Sequence, residues 1–233
     1  MKHLILLLFS TMLYAQVNSG RIEYKVFMSP DEDKSLSGDI KEYYKLAIEG
    51  SNSITFNLNF SDNKAEFIKN NALTNDSNSS NFASAFSGFL GNVFIDFQEG
   101  YYYQVINDVL GNYVVKRELK KYDWKLTTET KSIEGFLCYK ATANDVVVNS
   151  AGTFTYPVIA WYSPQIPINS GPLGITGLPG LILEMSRRNV VFGAKKIEIN
   201  PINKPIIVKP KLDNLKTDEE INQMRLDFMN SKD

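Results

Sequence analysis

The chain is almost without histidine: the only one in 233 residues is His3. That residue lies in an N-terminal stretch with the layout of a removable leader, so residues 16–233 carry none. Serine–histidine and cysteine–histidine catalysis are thereby excluded, because each needs an imidazole to take the nucleophile's proton. Histidine-bearing zinc sites are excluded with them. Cysteine is equally scarce. Cys138 stands alone, so neither an internal disulfide nor a thiolate cluster can form, and stability has to come from packing. An excess of either charge is also missing: 25 Lys and Arg against 26 Asp and Glu leave a formal net charge of −1. A nucleic-acid partner calls for a basic stripe and an anionic bilayer for a basic cluster. Neither partner is expected. No apolar run approaches the roughly 20 residues needed to span a membrane. A carboxylate-only Ca²⁺ or Mg²⁺ site is the one metal chemistry left open. The densest acidic run, Asp31-Glu32-Asp33, lacks the spaced ligands and glycine of an EF-hand loop and reads as a solvated turn. No metal and no cofactor are expected.

What is present begins with a basic start, Met1-Lys2-His3, an apolar run over Leu4–Leu13, and Ala15 before Gln16. This is the layout of a secretory signal peptide with a small residue before the cut. The sequence predicts cleavage after Ala15, a β-rich domain over residues 16–233, and a periplasmic location. No cysteine lies at the cut, so lipid attachment there is not available.

The remainder is patterned as strands. Arg21–Met28 and Ser53–Phe60 alternate apolar and polar residues, the period-2 signature of half-buried strands. Ala65–Lys69 follows Asp62-Asn63 as a hairpin partner. From Val93 onward strand-like runs recur: Val93–Gln98, Tyr101–Ile106, Tyr113–Leu119, Trp124–Thr130, Leu137–Ala143, Thr153–Tyr162, Leu181–Ser186 and Val190–Ile199. Gly100, Gly111, Gly135 and Gly152 punctuate them as turn glycines do. The short connections favour antiparallel neighbours, since parallel crossovers need a dozen or more residues. Ile40, Tyr43, Tyr44, Ala47 and Ile48 fall at helical spacing. Thr217-Asp218-Glu219-Glu220 reads as a capping box opening a C-terminal helix. Asn70–Gly91, rich in Asn, Ser and Gly, reads as a loop, although Phe82, Phe86 and Phe89 keep a turn-like spacing. Pro201–Pro210 reads as extended edge or linker. The expected fold is mainly β (α+β): a large curved or partly closed antiparallel sheet of about ten strands, with a short helix near the N-terminus, a C-terminal helix, and a likeness to periplasmic lipoprotein carriers.

The most particular stretch is Gly177-Leu178-Pro179-Gly180-Leu181-Ile182-Leu183-Glu184. Pro179 fixes φ near −65°, and Gly180 stands where the third residue of a type II turn needs φ > 0. Leu178–Leu181 therefore reads as a tight turn that launches a buried strand. With Gly135–Ala141 and the strand end Ala160–Pro167, which has Ser163 where a threonine is usual, this stretch resembles the GLPGLI family of exported Gram-negative bacterial proteins. The resemblance implies an envelope setting near outer-membrane transport or assembly, and no catalytic residues.

Several residues are candidates for function. Trp161 and Tyr162, before the Pro164 and Pro167 loop, read as a stacking platform or as core-sealing aromatics. Leu178, Pro179 and Tyr102 are further candidates for binding. Tyr101-Tyr102-Tyr103 should place one aromatic face on the core and the other toward solvent or a ligand. Gly177, Gly180, Leu181, Leu183, Glu184 and Cys138 read as structural, with Cys138 buried and inert. Glu184 should share a strand face with Ile182 and pair with Arg187, Arg188 or Lys195. Asp96 and Glu99 are the only carboxylates suggestive of a glycosidase pair. Three function classes remain: a non-catalytic carrier of an apolar or amphipathic, lipid-like ligand; an accessory subunit docking on an outer-membrane transporter or assembly complex; and a carboxylate-only hydrolase. An enclosed apolar cavity favours the first, and an exposed apolar surface over a filled core favours the second.

Overall fold

A computed structural model of the chain describes residues 16–30, 36, 38–70, 77–149 and 152–231. The signal-peptide reading of residues 1–15 and the acidic turn at 31–33 fall outside the described residues. In chain order the elements are β1 (Ser19–Met28), α1 (Asp39–Ser51), β2 (Thr55–Ser61), β3 (Lys64–Lys69), α2 (Asn78–Phe86), β4 (Asn92–Asp96), β5 (Tyr101–Asp108), β6 (Gly111–Glu118), β7 (Lys120–Lys121), β8 (Lys125–Ile133), β9 (Phe136–Asn149), β10 (Gly152–Ser163), β11 (Ile175–Thr176), β12 (Leu181–Arg187), β13 (Val190–Ile199), β14 (Leu215–Lys216) and α3 (Asp218–Asn230).

Twelve strands form one open sheet in the order β14-β6-β5-β4-β3-β2-β1-β13-β12-β10-β9-β8. All neighbours are antiparallel except β14, which runs parallel to β6. The alternation in β1 and β2 sets the faces. Ile22, Tyr24, Val26, Phe56, Leu58 and Phe60 are buried on one side, and polar residues alternate onto the other. The inner side carries the main core, in which Phe56 stacks on Phe67 at 5.2 Å and both meet Phe192 and Phe89. Such ring pairs add about 0.5–1.5 kcal/mol each beyond the area they bury.

Two helices cover part of this face. Tyr44 and Ala47 of α1 are buried in the core, as the helical spacing predicts. The expected loop over Asn70–Gly91 is corrected in its described part: Asn78–Phe86 is helical. The Ser77 side chain accepts from the Ser80 N–H as an N-cap, and Tyr43–Phe82 and Tyr44–Phe86 ring contacts dock the helix on α1. Poor helix propensity in an Asn/Ser-rich stretch is overridden by the cap and by those phenylalanines. Gly50 makes the close crossing possible, since a Cβ there would stand 2.2 Å from the Ser79 carbonyl oxygen.

The sheet is curved, most sharply at the β8 end. Glu184 of β12 lies three strand spacings from β8, about 14 Å in a flat sheet. Yet Lys131 of β8 reaches it at 2.8 Å. Lys131–Glu134 also shares a hollow with Phe27 of β1 and Val191 of β13. The β8–β9 hairpin therefore curls back over the outer face. At the other end the three-proline stretch is a strap running across the strands on that same face. Lys204 pairs with Asp62, Lys209 with Glu99, and Ile207 packs on Phe94, Tyr103 and Val114. The strap ends in β14, and the capping box at Thr217 then opens α3. Ile221 anchors α3 on Ile106, Tyr113 and Val115. No helix among the described residues is long and apolar enough to cross a membrane.

Candidate binding surfaces

The glycine–proline stretch lies beside the Pro164–Pro167 loop at one end of the sheet. Gly180 has φ +154°, and a Cβ there would stand 2.3 Å from the Ser163 carbonyl oxygen. The expected type II turn is corrected. The Gly180 N–H donates to the Leu178 carbonyl at 2.9 Å, while the Leu181 N–H donates to Ile166 in the neighbouring loop. The turn is thus a three-residue γ-turn around Pro179, and the hydrogen bond a type II turn would close is spent tying the two loops together. Gly177 sits under the Trp124 indole, which donates to the Thr176 carbonyl at 3.1 Å. The short parallel pair β7–β11 runs alongside. Leu178 is buried in the core and is no surface contact. Pro164, Pro167 and Pro179 stay exposed on the locked loops.

The strand launched by this turn contains a β-bulge that sequence periodicity cannot show. Trp161 pairs with Glu184 and Tyr162 with Ile182, so Leu183 is the extra residue. A bulge reverses the facing of the residues beyond it. Glu184 therefore lies on the opposite face from Ile182, not on the same one. Its partner is Lys131, not Arg187, Arg188 or Lys195. The buried Tyr24 hydroxyl donates to the Ile182 carbonyl at 2.7 Å, giving the disturbed backbone a partner and raising the phenol's pKa through burial. Leu181 and Leu183 are fully buried.

Trp161 and Tyr162 do not form a platform. Consecutive strand residues point to opposite faces. Trp161 lies half-buried on the outer side, with the Lys131 ammonium 4.4 Å from its ring. Tyr162 is buried against Tyr139 on the inner side, and burial raises its pKa. Nor do the three tyrosines offer a free aromatic face. Tyr102 packs against the main core, Tyr103 lies under the strap beside Lys209, and Lys116 covers Tyr101 at 3.9 Å. Tyr102 is remote in the sheet order from Trp161, and the two share no surface.

The suspected carboxylate pair serves the fold. Asp96 Oδ1 accepts from the N–H groups of Gln98 and Glu99, closing the β4–β5 turn. Glu99 accepts from Lys209 at 2.6 Å and from the Tyr103 hydroxyl at 2.7 Å, and these bonds hold its pKa below the usual carboxylate range. That is the wrong direction for a general acid. Among the described residues no group of three or more His, Cys, Asp or Glu is arranged to hold a metal ion.

Cys138 is fully buried, and burial pushes its thiol up to about 11. Near neutral pH only a trace is thiolate, the reactive form. We expect a water-soluble disulfide reagent to label the folded protein only at the rate of unfolding, and to label it promptly in denaturant. Prompt labelling of folded protein would show the thiol to be accessible.

A cluster that periodicity does not reveal ties β9 to β12. Arg187 donates through Nε to Asp145 Oδ2 at 2.7 Å, and the Tyr122 hydroxyl donates to Asp145 Oδ1 at 3.1 Å. Asp145 is buried, and burial together with the Asp145 charge raises the Tyr122 pKa. Beyond this knot β9 and β10 pair only with each other, from Asn144–Pro157 outward. They project as a two-stranded ribbon with Val146 and Phe154 exposed. Four hollows among the described residues are small and half-open, about 250–320 Å³, and large aromatics pack the main core.

A family model described as a protein of unknown function (Porph_ging) matches residues 148–184, from the end of β9 through both loops to Glu184. No curated protein matches the chain by sequence. Two solved structures of PNGF-II share the fold. The C2 form aligns at TM-score 0.54 and 14% identity over 89% of this chain and 32% of that one. The P21 form aligns at 0.52 and 15% over 89% and 33%. The chain thus spans about a third of the length of these structures, and the likeness lies in the β-rich fold.

Proposed function

We propose that this is a non-catalytic, exported envelope protein of the GLPGLI type that acts as an accessory subunit, docking on a protein complex at the outer membrane. The observation that carries this reading is the ribbon beyond Asp145 and Pro157. A lone two-stranded hairpin is marginally stable in water, yet this one carries Val146 and Phe154 into solvent. Docking is favoured over carriage of a lipid-like ligand, because a carrier needs an apolar cavity and the hollows named among the described residues fall near or below the ~300–1,000 Å³ typical of ligand pockets. The locked proline loops supply a second rigid edge.

A photo-crosslinking amino acid at Phe154 in intact cells should give one discrete adduct with an envelope protein, and the same probe at Lys41 of α1 should not. Equal adducts from both positions, or none from Phe154, would reject docking through the ribbon.

A further inference from the structure

Between the C-terminal end of α2 and the β12–β13 turn lies a cleft of about 250 Å³ with Phe86, Leu173, Met185 and Phe192 among its walls and Arg187 and Arg188 at its rim. The two guanidiniums are held differently. Asp145 engages Arg187 through Nε and Nη2. The remaining nitrogen, Nη1, lies beside Gly88, 3.5 Å from where a Cβ would stand, and so faces the cleft. Arg188 pairs with no carboxylate among the described residues. Its guanidinium lies over the Tyr156 ring, 3.7 Å from the centroid. Two guanidiniums thus stand at the rim of an apolar cleft, and of the two only Arg187 is engaged by Asp145.

The backbone supplies a second observation. Arg188 stands in a two-residue hairpin turn at φ +53°, a position that such turns usually give to Gly, Asn or Asp. A side chain with a Cβ is strained there. Asp62 and Glu134 take the same position in their hairpins, but only Arg188 brings a cation to the rim of an apolar cleft.

We propose that this cleft binds a small amphipathic anion, with one carboxylate or phosphate head and one aryl or short acyl group. The oxyanion lies between Arg188 and Nη1 of Arg187, in the planar fork geometry that suits such heads. The apolar group lies on Phe86 and Leu173, the part-exposed apolar walls. The volume sets the size: below the ~300–1,000 Å³ of ordinary ligand pockets, it takes one ring or a short chain and not a whole lipid.

The test is calorimetric titration of the protein with octanoate and octyl phosphate, with octylamine as the charge-reversed control. Saturable binding is expected for the anions alone, and the stronger of the two identifies the head. A charged hydrogen bond is worth roughly 1.5–3 kcal/mol, so Arg188→Gly should weaken binding about tenfold or more. Its melting temperature should stay unchanged or rise, because glycine relieves the positive φ. Ala85→Trp, which fills the cleft from the exposed side of α2, should abolish binding with both arginines intact. Three results each overturn the proposal: no saturable binding of either anion, equal binding of octylamine, or unaltered affinity in Ala85→Trp. Undiminished binding in Arg188→Gly overturns it as well. Should that variant melt lower, Ala85→Trp decides.

Discussion

Gly180→Val is expected to lower stability by about 2–6 kcal/mol, read as a shift of the urea midpoint at unchanged slope. Two costs add. A β-branched residue at positive φ stores about 1–3 kcal/mol of backbone strain, and Gly180 sits at +154°. A Cβ would also stand 2.3 Å from the Ser163 carbonyl oxygen and 2.9 Å from Pro164 Cα. That obstacle is backbone, and the Pro164–Pro167 loop is pinned by the Leu181–Ile166 hydrogen bond. The loops must separate, as in overpacking, for roughly 1–3 kcal/mol more. Pro179→Ala next door is the control. Pro179 is exposed, so its loss acts through the unfolded chain and should cost only about 0.4–1 kcal/mol. An unchanged midpoint for Gly180→Val would show that the turn is not architectural and would make it a working surface.

The contrast between Gly180 and Glu184 shows where sequence reasoning holds. The need for glycine at 180 was legible from the local Pro-Gly pair, but the turn type was not, because the Ser163 carbonyl and the Leu181–Ile166 bond belong to the neighbouring loop. The long strands were legible from local pattern as well, since Ile22, Tyr24 and Val26 alternate without interruption. The facing of Glu184 was not legible. It depends on one extra residue, Leu183, measured against β10, and a bulge is a relation between two strands that leaves no periodic mark in either. Lys131 as its partner depends on the curl of the β8–β9 hairpin, which is a property of the whole sheet. Strands β7, β11 and β14 are two residues long, too short to carry a period. The α2 helix was hidden by its Asn and Ser content, although the phenylalanine spacing was its trace. A signal for Arg188 was also present: an arginine opening a two-residue turn between two strands, where a glycine would be expected.

Asp145→Ala should be damaging although it removes no apolar core side chain, costing about 2–4 kcal/mol. Asp145 is 6% exposed and joins β9 to Arg187 of β12 and to Tyr122, which precedes β8. Its removal strands a guanidinium and a phenol in a poorly solvated site. Breaking a fully buried pair costs about 3–5 kcal/mol, and the lower range here reflects Arg187 keeping a quarter of its side chain in water. The penalty comes mostly from the charge left behind and much less from the pair's net worth. The double variant Asp145→Leu with Arg187→Met should therefore lose clearly less than Asp145→Ala alone, because no uncompensated charge remains. Equilibrium unfolding of the two variants and the parent decides this. A double variant at least as unstable as the single would show that the knot works by shape and packing. A single variant within about 0.5 kcal/mol of the parent, the range of ordinary surface changes, would show that water already solvates Arg187 and that β9 is held at the base of the ribbon by its strand pairing alone.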